Sequence, residues 1–150
     1  MAAKMAAKAF LPAIHELARC YQAFEAYSGQ HIRSLELTPC QFDIVATLGN
    51  TPGMTFRQLG EKTLITKGTL TGVVDRLEEK KIVRRIASPT DGRSQIVQLT
   101  ARGGRLFAKV FPSHLAHLDH AFRALSADEV KQAEGILHRL RGIFESPEVQ

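Results

Sequence analysis

At 150 residues, 44% hydrophobic and 23% charged, the chain has the size and composition of one globular domain, which excludes a disordered polypeptide. No apolar run approaches the ~20 residues of a membrane span, and two cysteines, Cys20 and Cys40, form neither a disulfide framework nor a zinc ligand set, so a cytoplasmic protein is expected. The net charge of +5 is unevenly placed: residues 51–110 hold 12 Lys or Arg against 5 Asp or Glu, which points to a polyanion met by the central segment.

Lys4 and Lys8 interrupt the alanine-rich start, so no export signal is expected. Ile14, Leu17, Tyr21, Phe24, Ile32 and Leu35 recur by threes and fours or their sums, which predicts a long amphipathic helix over 12–34, with Pro12 in its first turn and Gly29 as a bend. Thr38-Pro39-Cys40-Gln41 is a capping box opening a second helix with Phe42, Val45 and Leu48, ended by Asn50-Thr51-Pro52-Gly53. Thr55 to Gln58 is another box, starting a short helix with Leu59. A turn over Lys62 to Ile65 leads to a helix over 66–80, whose stripe is Leu70, Val73, Val74 and Leu77. Ile82–Ser88 and Gln95–Leu99 read as strands around the turn Pro89-Thr90-Asp91-Gly92-Arg93. Short helix, turn, helix and basic hairpin together spell a winged helix-turn-helix. Thr100 caps a helix that Pro112 should kink, and Ser126 to Glu129 boxes a last helix through Ile143 and Phe144.

The fold class expected is mainly α with a small β-hairpin wing, one continuous domain in which residues 38–100 read DNA. Residues 1–37 and 101–150 form the helical remainder. These terminal stripes carry more apolar surface than the middle segment covers, so they are expected to interlock with a second copy in a symmetric homodimer; a compact all-helical monomer is the alternative.

On a wheel of 100° per residue, the central helix turns Gly68, Thr69, Gly72, Asp75 and Arg76 outward, with Thr71 on the flank and Thr66 and Lys67 at the N-terminal end. Recognition helices enter the major groove by that end, where threonine meets bases, phosphates or a thymine methyl and lysine meets phosphate or guanine. Gly68 and Gly72 leave room for a sugar-phosphate backbone. Arg84, Arg85, Arg93, Arg102 and Arg105 gather about the hairpin, and an arginine at its tip suits a narrow minor groove. Asp91, a poor DNA contact itself, is expected to orient the guanidinium of Arg85 or Arg93. The DNA-contact set is thus Thr66, Lys67, Gly68, Thr69, Thr71, Arg76, Arg85, Asp91 and Arg93. A solvated polar face is the alternative.

Leu37-Thr38-Pro39 with Gln41-Phe42, Thr69-Leu70-Thr71, Arg76-Leu77-Glu78, Ile82-Val83-Arg84-Arg85, Asp91-Gly92-Arg93-Ser94 and Val97-Gln98-Leu99-Thr100 follow one another at spacings that resemble the MarR family of bacterial transcription factors. The resemblance implies a triangular homodimer with a winged helix on each protomer. It further implies a protein, usually a repressor, that binds pseudo-palindromic double-stranded DNA and is often released by small anionic phenolic ligands. The family's ligand crevice lies between dimer helices and DNA-binding lobe. Here His15, Arg19, Tyr21 and Tyr27 of the first helix and Gln41 of the second are its expected lining, with Arg19 or His15 taking a carboxylate; a dimer interface with buried tyrosines is the alternative.

Cysteine-redox and zinc-responsive regulation are the rival sensing chemistries. Cys20 does not fall where peroxide-sensing members of the family carry theirs, and His114, His117 and His120 are read as decoration of a solvated face. No metal site or cofactor is assigned. No phosphate loop, nucleophile elbow or metalloprotease motif is present, so no enzyme is expected; a winged helix that binds only protein is the remaining alternative.

Overall fold

Capping boxes open three of the six helices in the computed structural model, which describes residues 9–146; Lys4 and Lys8 lie outside the described residues. The elements are α1 (Leu11–Ser34), α2 (Pro39–Leu48), β1 (Met54–Thr55), α3 (Phe56–Lys62), α4 (Lys67–Glu79), β2 (Val83–Ala87), β3 (Gln95–Leu99), α5 (Ala101–Phe122) and α6 (Ala127–Glu145). Each boundary lies within about a turn of the one expected from periodicity.

At α2 the Gln41 N–H donates to Thr38 Oγ1 at 3.2 Å while the Thr38 N–H donates to Gln41 Oε1 at 3.1 Å. Thr55 with Gln58, and Ser126 with Glu129, repeat the exchange at α3 and α6. Each box satisfies backbone donors that a first turn leaves orphaned. Thr100 caps α5 by accepting the Gly103 N–H at 3.1 Å, and its hydroxyl also donates to the Lys81 carbonyl.

The sheet has three antiparallel strands in the order β1-β3-β2, mainly α with a hairpin wing as expected. The sequence announced only two. Met54 and Thr55 pair with Val97 and Ile96, but a two-residue strand is too short to show alternation. Gly53 makes the approach possible: its φ is 109°, and a Cβ there would lie 2.8 Å from the Val97 carbonyl oxygen.

The chain divides into two units, one up to His114 and one from Leu115. In the first, Leu70, Val73, Val74 and Leu77 of α4 join Ile44, Val45 and Leu48 of α2, Leu59, Val83 and Val97 in one core. Each such side chain contributes about 1.5–3 kcal/mol on burial. That core fixes α4 against the hairpin. Within the same unit, α1 leaves Leu11, Ile14, Tyr21 and Phe24 exposed. The second unit holds the last turns of α5 and all of α6, a helix that buries none of its residues within this chain. Phe122, Leu125, Val130, Ala133 and Leu137 line an open groove there, and Ile136, Ile143 and Phe144 are also exposed. No helix among the described residues is long and apolar enough to cross a membrane.

Candidate nucleic-acid interface

The α4 helix presents the face the wheel predicts. Lys67, Gly68, Thr69, Thr71, Gly72, Asp75 and Arg76 are exposed while the four stripe residues are buried. Thr66 is the N-cap in extended conformation, but its hydroxyl donates to Thr69 Oγ1 at 3.1 Å and does not cap the backbone. The Thr69 N–H donates to the Thr66 carbonyl at 3.0 Å, while the Lys67 and Gly68 N–H groups stay available to an anion at the positive end of the helix dipole. A Cβ on Gly68 or Gly72 would meet nothing within 4 Å, so both leave open surface.

A tie not anticipated from the sequence holds the turn before α4. Asp43 of α2 accepts the Leu64 N–H at 3.3 Å through Oδ2. Burial pushes the Asp43 carboxyl above its usual range, and the Leu64 N–H partly offsets this. Ile65 is buried next to it, whereas Leu64 points into solvent.

The hairpin divides its arginines between two tasks. Arg84 faces Gln98 across the ladder and donates to its Oε1 from both Nε and Nη2, at 3.1 and 2.8 Å. Arg85, expected at the DNA, is turned onto α4 instead: its Nη2 donates to Asp75 Oδ1, and its guanidinium lies 5.3 Å from the centre of the Phe56 ring. Its side chain is 22% exposed, and its Nε is buried without a partner among the described residues. Opposite charge and a ring face hold it inward more firmly than water holds it out.

Asp91 also departs from expectation. It grips neither guanidinium but accepts the Arg93 backbone N–H at 3.0 Å and the Ser94 hydroxyl at 3.1 Å. An aspartate reaches the N–H two residues on without strain, so it shapes the turn and leaves charge pairing aside. The Arg93 guanidinium, like Lys67 and Arg76, is exposed with no partner among the described residues. Lys67 at one end of α4 and Arg93 at the hairpin tip are thus uncommitted cations on a rigid frame.

The expected effector residues are only partly brought together. His15, Arg19 and Tyr21 are exposed on α1, and Tyr27 is half-buried further along it. The Glu25 carboxylate, hydrogen-bonded to the Tyr21 hydroxyl, holds that phenol above its usual range. Gln41 is withdrawn: it is buried, and its side chain completes the α2 cap.

His114 is likewise no surface decoration. It is 4% exposed, with Nε2 at 3.0 Å from Ser28 Oγ and Nδ1 at 2.9 Å from His31 Nδ1, so one of the two rings carries the shared proton. Phe42 meets the His114 ring edge-on, centroids 4.7 Å apart. This cluster knits α1, α2 and α5 together. The sequence signal was there in the stripe, since Ser28 and Ile32 are four apart on the buried face and His31 borders it. Among the described residues, no three His, Cys, Asp or Glu side chains gather as a metal site. Cys20 is exposed and Cys40 half-buried, both as free thiols.

Residues 35–94 match the model of the MarR family. The HTH-type transcriptional regulator MhqR of Bacillus subtilis is 35% identical over 124 residues, covering 83% of this chain and 86% of that protein. BpsR of Bordetella bronchiseptica, solved to explain regulation of its DNA binding by 6-hydroxynicotinic acid, is 26% identical with a TM-score of 0.75 over 87% of this chain and 98% of that one. Sco3205 of Streptomyces coelicolor, a MarR family regulator solved in complex with DNA, shares the fold at a TM-score of 0.80 and 21% identity, over 92% of this chain and 89% of that one.

Proposed function

The chain belongs to the MarR family of transcriptional regulators, and from that premise we propose that it is a homodimeric repressor released from its operator by a small aromatic acid. Each protomer lays the N-terminal end of α4 in a major groove, through Thr66, Lys67, Gly68, Thr69 and Thr71 with Arg76 behind them. The hairpin tip meets the neighbouring minor groove through Arg93. The carrying observation is the pair of unpartnered cations, Lys67 and Arg93, set on two elements that one core holds together. Dimerisation is supported by the apolar side chains exposed on α1 and α6. Two heads on one dimer fit half-sites about one helical turn, ~10 bp, apart.

The similarity to BpsR, whose DNA binding 6-hydroxynicotinic acid regulates, supports an aromatic acid as effector. Arg19, then His15, is the partner for its carboxylate, with Tyr21 and Tyr27 beside the apolar body. An acid that favours a DNA-incompetent spacing of the heads ~100-fold shifts the equilibrium by about 2.7 kcal/mol. The test is to select bound fragments from genomic DNA, then titrate aromatic acids against the best operator with wild type, Arg19→Ala and His15→Ala. Selection should return an inverted repeat. No enriched sequence refutes the DNA reading, and an acid that binds both variants as well as wild type refutes the assigned residues.

A further inference from the structure

We propose that Arg85 is a positioning residue: clamped between Asp75 and Phe56, it sets the angle of the hairpin to α4 so that Arg93 reaches its groove while Lys67 occupies the other. The inference rests on the DNA-binding reading above and adds to it a residue that acts on DNA only through others.

Three elements meet at this side chain. Arg85 belongs to β2, Asp75 to α4 and Phe56 to the first turn of α3. In the ladder Arg85 lies opposite Val97, a fully buried residue, so the clamp sits where the hairpin joins the core and not at its tip. Asp75 is eight residues beyond Lys67, about 12 Å along the helix from the end that enters a groove. Phosphate is also a poor competitor here, because the Asp75 carboxylate already neutralises the guanidinium and would itself repel the backbone.

Leverage makes the position matter. Arg93 lies four residues from Val97, about 14 Å along an extended chain. A rotation of ~10° at the base moves the tip by about 2.4 Å, enough to carry a 2.9 Å hydrogen bond out of range. Between the clamp and the tip, the Ile86–Ile96 and Ala87–Gln95 rungs of the ladder and the Asp91–Ser94 bond in the turn stiffen the hairpin, so motion at the base is passed on to Arg93. Without the clamp, the sheet's own ladder keeps the hairpin folded but no longer aimed.

The test uses the sign of a charge change. Asp75→Asn removes a negative charge from the DNA-facing helix and frees Arg85, so electrostatics alone, or a direct DNA contact by Arg85, predicts tighter operator binding. A positioning role predicts the opposite. On the operator selected by the intact wild-type protein, Asp75→Asn and Arg85→Gln should each weaken binding at least fivefold, whereas on unrelated duplex Asp75→Asn should bind no less tightly than wild type and Arg85→Gln should lose less than on the operator. Arg93→Ala should cost at least tenfold alone, but no more than about twofold in the Arg85→Gln background, because a misaimed tip has little left to lose. A tighter Asp75→Asn on the operator, a full Arg93→Ala loss in the double variant, or equal losses on unrelated duplex would each overturn the inference. These results leave the DNA-binding reading standing; a wild type that binds no duplex overturns that reading and the inference with it.

Discussion

Gly103 and Gly104 stand side by side in the first turn of α5, and alanine should have opposite effects at the two. A Cβ at Gly103 would lie 2.1 Å from the Ile82 carbonyl oxygen and 3.1 Å from Leu99 Cδ2, whereas one at Gly104 would meet nothing within 4 Å. The Ile82 carbonyl cannot simply swing away, because it accepts the Thr100 N–H at 3.0 Å and the Thr100 hydroxyl at 3.2 Å. Relieving the overlap needs a backbone shift of more than 1 Å. That costs about 1–3 kcal/mol in overpacking and ~1 kcal/mol for the weakened hydrogen bond, against ~1 kcal/mol gained in helix propensity. Gly103→Ala should therefore lose about 1–3 kcal/mol and Gly104→Ala gain up to ~1 kcal/mol. Urea unfolding at one fixed protomer concentration measures both, and with a slope of ~2 kcal/mol/M the two midpoints should stand about 0.5–2 M apart. Equal midpoints, or a Gly103→Ala protein as stable as wild type, would refute the close approach of α5 to the hairpin base.

Sedimentation at micromolar concentration should show a dimer, and a folded, stable monomer there would count against the proposed use of α1 and α6. Lys67→Ala should weaken operator binding and lower the slope of log affinity against log salt by about one per half-site; an unchanged slope would move Lys67 off the phosphates. Ser126→Ala should cost ~1 kcal/mol in chemical denaturation, the value of a lost N-cap. Glu129 is held below its usual range by the Ser126 N–H and then its hydroxyl, so its contribution is present above its unfolded pKa near 4.5 and is lost as pH falls through the folded value. The gap between wild type and Glu129→Gln should accordingly close in acid. Asp43 has the opposite sign: burial raises its folded pKa, so stability is lost as pH rises from the unfolded value near 3.8 through the folded one. Asp43→Asn, which keeps an acceptor for the Leu64 N–H, should gain on wild type across that window.

The helices and the exposed face of α4 were legible because their signals are local. Thr38 with Gln41, Thr55 with Gln58 and Ser126 with Glu129 each lie within four residues, and the α4 stripe repeats over about two turns. What stayed hidden depends on chain brought together from far apart. The ten-residue gap between Asp75 and Arg85, the 21 between Asp43 and Leu64 and the 83 between His31 and His114 leave no periodic trace. Asp91 was misread for a related reason. Its formal charge suggested a guanidinium partner, but the backbone N–H two residues on is always within reach, and no tertiary accident is needed to supply it. Gln41 was misassigned although its cap had been recognised, because a side chain spent on a helix terminus is unavailable to line a crevice.

The basic middle of the chain therefore overstates what a polyanion would meet. Arg85, turned inward onto Asp75 and Phe56, and Arg84, bonded to Gln98, hold the hairpin in shape, so a bare count of Lys and Arg overstates the free cations. Fixing the frame with some cations leaves the others, Lys67 and Arg93 foremost, at defined places on it. Affinity for any duplex grows with the number of free cations, but preference for one sequence needs them at fixed separation. A head with every arginine exposed would bind DNA more tightly and read it less well. On the proposed reading, the inward Arg85 serves recognition as much as the outward Arg93 does.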